Sequence, residues 1–192
     1  MNSLALLVLL LQLVSGQTAA SPLDRIRAKT PVDPVTNLTP VQIAGQYSNP
    51  SWEYIKRSGG ALSGDDLYIF PDQTYIYCEW ADISPTTIID KGTWSFSGSV
   101  LELKSDPEIT WGTRLERRLL VVRRPSHTKE ILLMGIEEEL PYFEKEAGDD
   151  PAGMLLIVGR QRRRVIKPAG AARLKARLMQ ESWRPESFRK NP

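Results

Sequence analysis

Residues 92–104 constrain the fold more than any other stretch of the chain. They read GTWSFS, then Gly98-Ser99, then VLELK. Trp94 and Phe96 share one face, with Thr93, Ser95 and Ser97 opposite. After the glycine, Leu101 and Leu103 face in while Glu102 and Lys104 face out. Two alternating runs joined by a two-residue loop that begins with Gly predict an antiparallel hairpin with a type II′ turn. The register is specified as well, because a slip of one residue would turn both aromatics into water.

Similar signals recur on either side. Residues 67–70 (LYIF) and 74–80 (TYIYCEW) flank Pro71-Asp72-Gln73, with the proline where a type I turn wants it. On the second run Ile76, Cys78 and Trp80 share a face, and Tyr75, Tyr77 and Glu79 share the other. The charge of Glu79 makes the Ile76 face the expected inner one. Residues 119–122 (LLVV) lie between arginine pairs, and residues 131–134 (ILLM) follow a polar turn that contains His127. Both runs are apolar on both faces, which predicts cover on both sides. Residues 155–158 (LLIV), just before Gly159, read as the last strand. With weaker segments near Tyr47 and Trp111, seven to nine short strands are expected. The fold class is mainly β, a single antiparallel β-barrel or β-sandwich. After Pro168, Ala171, Leu174 and Leu178 recur at spacings of three and four, which predicts one C-terminal amphipathic α-helix.

The N-terminus reads as an address. Residues 4–14 (LALLVLLLQLV) are an apolar run of 11, against the roughly 20 that a bilayer-spanning helix needs. Ser15, Gly16, Ala19 and Ala20 follow, so residues 1–20 are expected to be a secretory signal peptide cut after Gly16 or Ala20. The chain is then exported, to a periplasmic or extracellular location. Residues 21–40 hold four prolines and read as a linker or a loosely docked arm. The barrel domain is expected over residues 41–166, and the helix with a basic tail over 167–192. The single Cys78 would meet an oxidising compartment, and its apolar surroundings make it a small core residue.

Composition removes whole classes of chemistry. One Cys and one His exclude a disulfide framework, a zinc finger and any cluster of His and Cys ligands within the chain. No G-x-S-x-G, H-E-x-x-H or P-loop spacing occurs. His127 sits in a turn and reads as solvated. The acids at Glu137, Glu138, Glu139, Asp149 and Asp150 do not match the calcium loop of an EF-hand. No catalytic residue, metal or cofactor is expected. Charge is segregated: from residue 160 onward there are 11 basic and 2 acidic side chains, or +9, and the remainder holds 14 and 21, or −7. Arg160, Arg162, Arg163, Arg164, Arg173, Lys175 and Arg177 form a basic region suited to an anionic surface or a protein partner. Nucleic acid is not an expected partner for an exported protein.

Gly45-Gln46-Tyr47 near the start of the body, the meander of short strands and the helix after the last strand together resemble the lipocalin-type (calycin) barrel. Tyr47 stands where that family has a Trp. The resemblance implies an Arg near the end of the last strand, packed over that ring, a place for Arg160 or Arg162. The segments FPDQTYIY, GTWSFSG and LEL are also similar to small exported bacterial β-domains. Eleven of the 15 aromatics lie between Tyr47 and Trp111. Such side chains either fill a small barrel or line a lumen that holds one apolar ligand. The lining residues would then be Ile76, Trp80, Trp94, Phe96, Leu101 and Leu103. The expected function is a lipocalin-like, non-enzymatic binding protein. The alternative is a solid-cored interaction protein acting through its basic C-terminal region at an envelope surface.

Overall fold

A computed structural model describes residues 20–50, 55, 59, 63–107, 115–127 and 130–181. The expected signal peptide, apart from Ala20, lies outside the described residues, as do Trp111 and the tail after residue 181. In chain order the elements are α1 (Pro22–Arg27), β1 (Asp33–Pro34), α2 (Pro40–Ile43), β2 (Gly45–Asn49), β3 (Ser63–Ile69), β4 (Thr74–Ala81), β5 (Ser84–Ser97), β6 (Val100–Ser105), β7 (Arg118–Arg123), β8 (Leu132–Gly135), α3 (Glu139–Glu146), α4 (Pro151–Val158), β9 (Arg160–Val165) and α5 (Pro168–Glu181). Every strand pair is antiparallel, and the order β7-β6-β5-β4-β3-β2-β9-β8 returns to β7. Eight strands thus close a barrel, and β1 adds a short ninth against β7. Closure leaves the main sheet without a free edge.

The hairpin forms in the expected register, with Trp94 opposite Leu103 and Phe96 opposite Leu101. Gly98 has φ of 61° while Ser99 stays at negative φ, which is the type II′ pattern. The turn at Pro71 also forms: the Gln73 amide donates to the Phe70 carbonyl at 3.2 Å.

The barrel interior is one cluster of buried side chains, including Tyr47, Leu67, Ile69, Tyr75, Tyr77, Trp94, Leu101, Leu103, Leu119, Val121 and Leu133. Each fully buried side chain of this size contributes about 1.5–3 kcal/mol. Two further clusters lie on the outside of the wall. In one, Leu120, Val122, Leu132 and Met134 meet Ile26 of α1, Leu140 and Phe143 of α3, and Leu155 and Leu156 of α4. In the other, Tyr68, Phe70, Ile76, Cys78 and Ile88 meet Ala171 and Leu178 of α5. The two doubly apolar runs in β7 and β8 are therefore covered on both sides, as their patterns demand.

Three expectations change. Tyr75 and Tyr77 face the interior, and Ile76 and Cys78 face out beneath α5. The single charge of Glu79 misassigned the faces because both are buried along most of β4 and Glu79 itself lies at the open end. Residues 155–158 are helical, in α4. The Asp150 side chain accepts from the Gly153 amide at 2.9 Å and Pro151 starts the first turn, so the helix is capped locally. The strand that closes the barrel comes next and is the arginine-rich β9. The proline-bearing arm is also more regular than its composition suggests, since it forms α1 and buries Ile26, Val32 and Val35. Cys78 is a buried thiol, and burial pushes its pKa up.

A candidate ligand site at the barrel mouth

At the end of the barrel where β3 and β9 begin and β4 ends, the wall opens into a cleft of about 540 Å³. Its lining includes Asp65 of β3, Tyr77, Glu79 and Trp80 of β4, Thr87 and Ile89 of β5, Glu139 of α3 and Arg160 of β9. Small-molecule sites typically run to roughly 300–1,000 Å³, with an apolar lining and a few placed polar groups.

Arg160 organises the polar side. It faces inward from the first position of β9, opposite Leu133 of β8, and is 4% exposed. Its Nε donates to Asp65 Oδ1 at 2.9 Å, and an Nη donates to Glu139. The guanidinium carbon stands 6.0 Å from the centre of the Tyr77 ring. Glu139 is held in turn, its other oxygen accepting from the Gly135 amide at 2.6 Å. Buried Glu116 fixes the start of α3 by accepting from the amides of Glu137 and Glu139, at 2.5 and 2.6 Å. These are charge-assisted bonds to an otherwise unpaired helix start.

The electrostatics follow from burial. Burial pushes the Asp65 carboxyl up to about 6, and Arg160 only partly offsets this. The guanidinium is shared with Glu139, and Glu139 and Asp66 add like charge. Arg160 stays cationic, since the two carboxylates and Tyr77 outweigh its own desolvation. Two carboxylates, Asp65 and Glu139, thus hold one guanidinium, and Glu79 adds a third carboxylate to the lining of the cleft.

The apolar side is set by Trp80, which pairs with Gly64 across β3 and β4. A Cβ at Gly64 would stand 2.6 Å from the Trp80 ring, so only glycine lets the indole lie there.

The residues expected to bind ligand divide into three groups. Trp94, Phe96, Leu101 and Leu103 come together inside the barrel and pack against Tyr47, Tyr75 and Tyr77. The polar tips there are satisfied: Trp94 Nε1 donates to the Phe70 carbonyl at 3.0 Å, Tyr47 to the Ile43 carbonyl at 2.6 Å, and Tyr75 to Asp90 at 2.8 Å. Trp80 lines the mouth cleft. Ile76 joins neither group; it sits outside under α5. Sequence reasoning missed Asp65, Tyr77, Glu79, Thr87, Ile89 and Glu139. The one signal for Asp65 was an acidic pair, Asp65-Asp66, opening an otherwise apolar strand.

The basic region divides too. Arg160 is buried in the mouth and cannot meet a surface, because its place on β9 faces inward. Arg162 stands opposite Tyr47 and donates to the Gln42 carbonyl at 2.6 Å. Lys175 bonds Asp72 and Thr74, each at 2.6 Å, over the Phe70 ring. Arg163, Arg164, Arg173 and Arg177 are exposed. Among the described residues no group of three His, Cys, Asp or Glu side chains is arranged to hold a metal ion. No described helix is long and apolar enough to cross a membrane.

Comparison with known proteins yields no match, whether to a family model, to a curated protein or to a solved structure.

Proposed function

We propose that this chain is an exported, lipocalin-like, non-enzymatic binding module that takes a small ligand at the mouth of its barrel. The observation that carries the reading is the cleft itself, where Trp80, Tyr77 and Ile89 face Asp65, Glu79 and Glu139 around a buried Arg160. An eight-stranded barrel is just wide enough for its own side chains. The ligand therefore belongs at the rim, above the packed Trp94, Phe96, Leu101 and Leu103. Support for the lipocalin-like reading comes from closure over eight strands, from Tyr47 on the first barrel strand facing Arg162 on the last, and from the helix that follows.

The ligand is partly apolar and cationic. Its apolar part stacks on Trp80 and Ile89. Its cation meets a carboxylate surplus flanked by aromatic faces, which favours positive charge. A cation near Asp65 also restores the ionised carboxylate that burial disfavours.

Calorimetric titration with hexylammonium, hexanol and hexanoate tests this, because the three share one tail. The expected order of affinity is amine, alcohol, acid. Trp80→Ala should weaken all three. Hexanoate binding tightest, or no binding by any of the three, would overturn the reading.

A further inference from the structure

A second concavity lies between the end of β9 and α5, with a volume of about 620 Å³. Arg164 and Lys167 form one bank and Arg173 and Arg177 the other, and Val165, Ile166, Leu174 and Ala176 lie between them. Its described lining thus holds four cations and no carboxylate. Val165 is 49% exposed at the floor of this basic rim, and Leu174 is half-buried beside it.

We infer that this groove docks the protein on an anionic membrane surface. Three observations carry the inference. First, the cations are spread along two banks. Arg173 and Arg177 are one helical turn apart, about 6 Å along the axis. A site for a single small anion needs donors that converge, whereas an extended rim matches an array of headgroups. Second, the exposed apolar floor within the cationic rim suits shallow insertion at the headgroup boundary. Third, charge is divided along β9, with the four cations at the groove end and the carboxylates of Asp65, Glu79 and Glu139 at the mouth end. An anionic surface attracts the groove and repels the acid-rich mouth, which fixes one orientation. β9 starts at the mouth with Arg160 and reaches the groove five residues later, about 17 Å along the strand. The docked protein therefore turns its mouth away from the surface.

Sedimentation of the full chain with vesicles tests this, using phosphatidylcholine alone or with phosphatidylglycerol added. Binding should need the anionic lipid and weaken with salt. Changing Arg164, Arg173 and Arg177 together to Gln should lower partitioning on the order of a hundredfold. Changing Lys29, Lys104 and Lys145 to Gln removes the same charge elsewhere and should leave it within about twofold. Thermal melts of both triple variants confirm folding, and Arg164→Gln alone should give about a fivefold loss. Val165→Asp should also weaken binding. Equal loss in the two triple variants, no binding to anionic vesicles, or binding to soluble polyglutamate without binding to vesicles would overturn the inference.

Discussion

β9 carries arginines at both ends, and the two ends hold them differently. At its start Arg160 is enclosed, with both faces of its charge answered by Asp65 and Glu139 and an aromatic ring beneath. At its end Arg164 stands in an open groove among other cations. The residue type is the same, and the surroundings decide what it does. The buried guanidinium, on β9, fixes the carboxylates of Asp65 on β3 and Glu139 on α3 at the candidate site. The exposed one keeps its charge at the surface. A count of basic residues along the chain merges these two roles, and the fold separates them.

The sharpest way to break the contrast is Arg160→Met. Removing one partner of a buried ion pair typically costs about 3–5 kcal/mol, because the carboxylates stay behind uncompensated. The expected loss is of that order by denaturant unfolding at pH 7. It should shrink at pH 4.5, where Asp65, its carboxyl pushed up to about 6 by burial, holds a proton. A loss under about 1 kcal/mol would mean that Arg160 is no more structural than its exposed neighbours.

The next effect concerns what seats α5 and so builds the groove wall. Leu178 is 8% exposed and Leu174 is only half-buried. Leu178→Ala should cost about 2–3 kcal/mol in thermal unfolding, as core truncations do. Leu174→Ala should cost less, about 1 kcal/mol. The reverse order would place the helix in another rotation.

Asp65 gives a pH signature confined to the mouth. Its folded-state pKa of about 6 exceeds the ordinary value of 3.8. Between those values the native state keeps a proton that the unfolded chain has released. The contribution of Asp65 to stability therefore falls as pH rises from about 4 to 6, by an amount on the order of 2 kcal/mol. Asp65→Asn should remove that fall from a stability-against-pH curve, and an unchanged curve would contradict the burial argument. The smallest effect belongs to the open end. Arg164→Gln should change unfolding stability by about 0–0.5 kcal/mol, since exposed charges contribute little.

Much of this architecture was legible in the sequence. The hairpin at Gly98-Ser99 was readable because alternation, turn glycine and register all agree there. The double cover of β7 and β8 was readable from runs with no polar face. The reading failed where pattern was read without caps. LLIV looks like a strand by content, yet Asp150-Pro151 five residues earlier already marks a helix start. It failed again on β9, because a closing strand at an open barrel end can carry arginines on faces that a central strand would fill with apolar groups. The mouth was the least legible part. Asp65, Glu79, Glu139 and Arg160 come from four elements, and only barrel closure brings them together. Of the residues expected from the sequence to line a ligand site, Trp80 is the one that lies there.

The central claim is that the mouth, and neither the packed interior nor the groove, takes a small cationic ligand. Trp80 and Trp94 provide a direct test, because one indole lies in the cleft and the other inside the barrel. In a two-dimensional ¹H–¹⁵N spectrum of the full chain, titrated with hexylammonium, the Trp80 indole and the Ile89 amide should shift together in a saturable way. The Trp94 indole and the Val165 amide should stay in place. Shifts at Trp94 would put the ligand in the lumen, shifts at Val165 would put it in the groove, and either result would contradict the account.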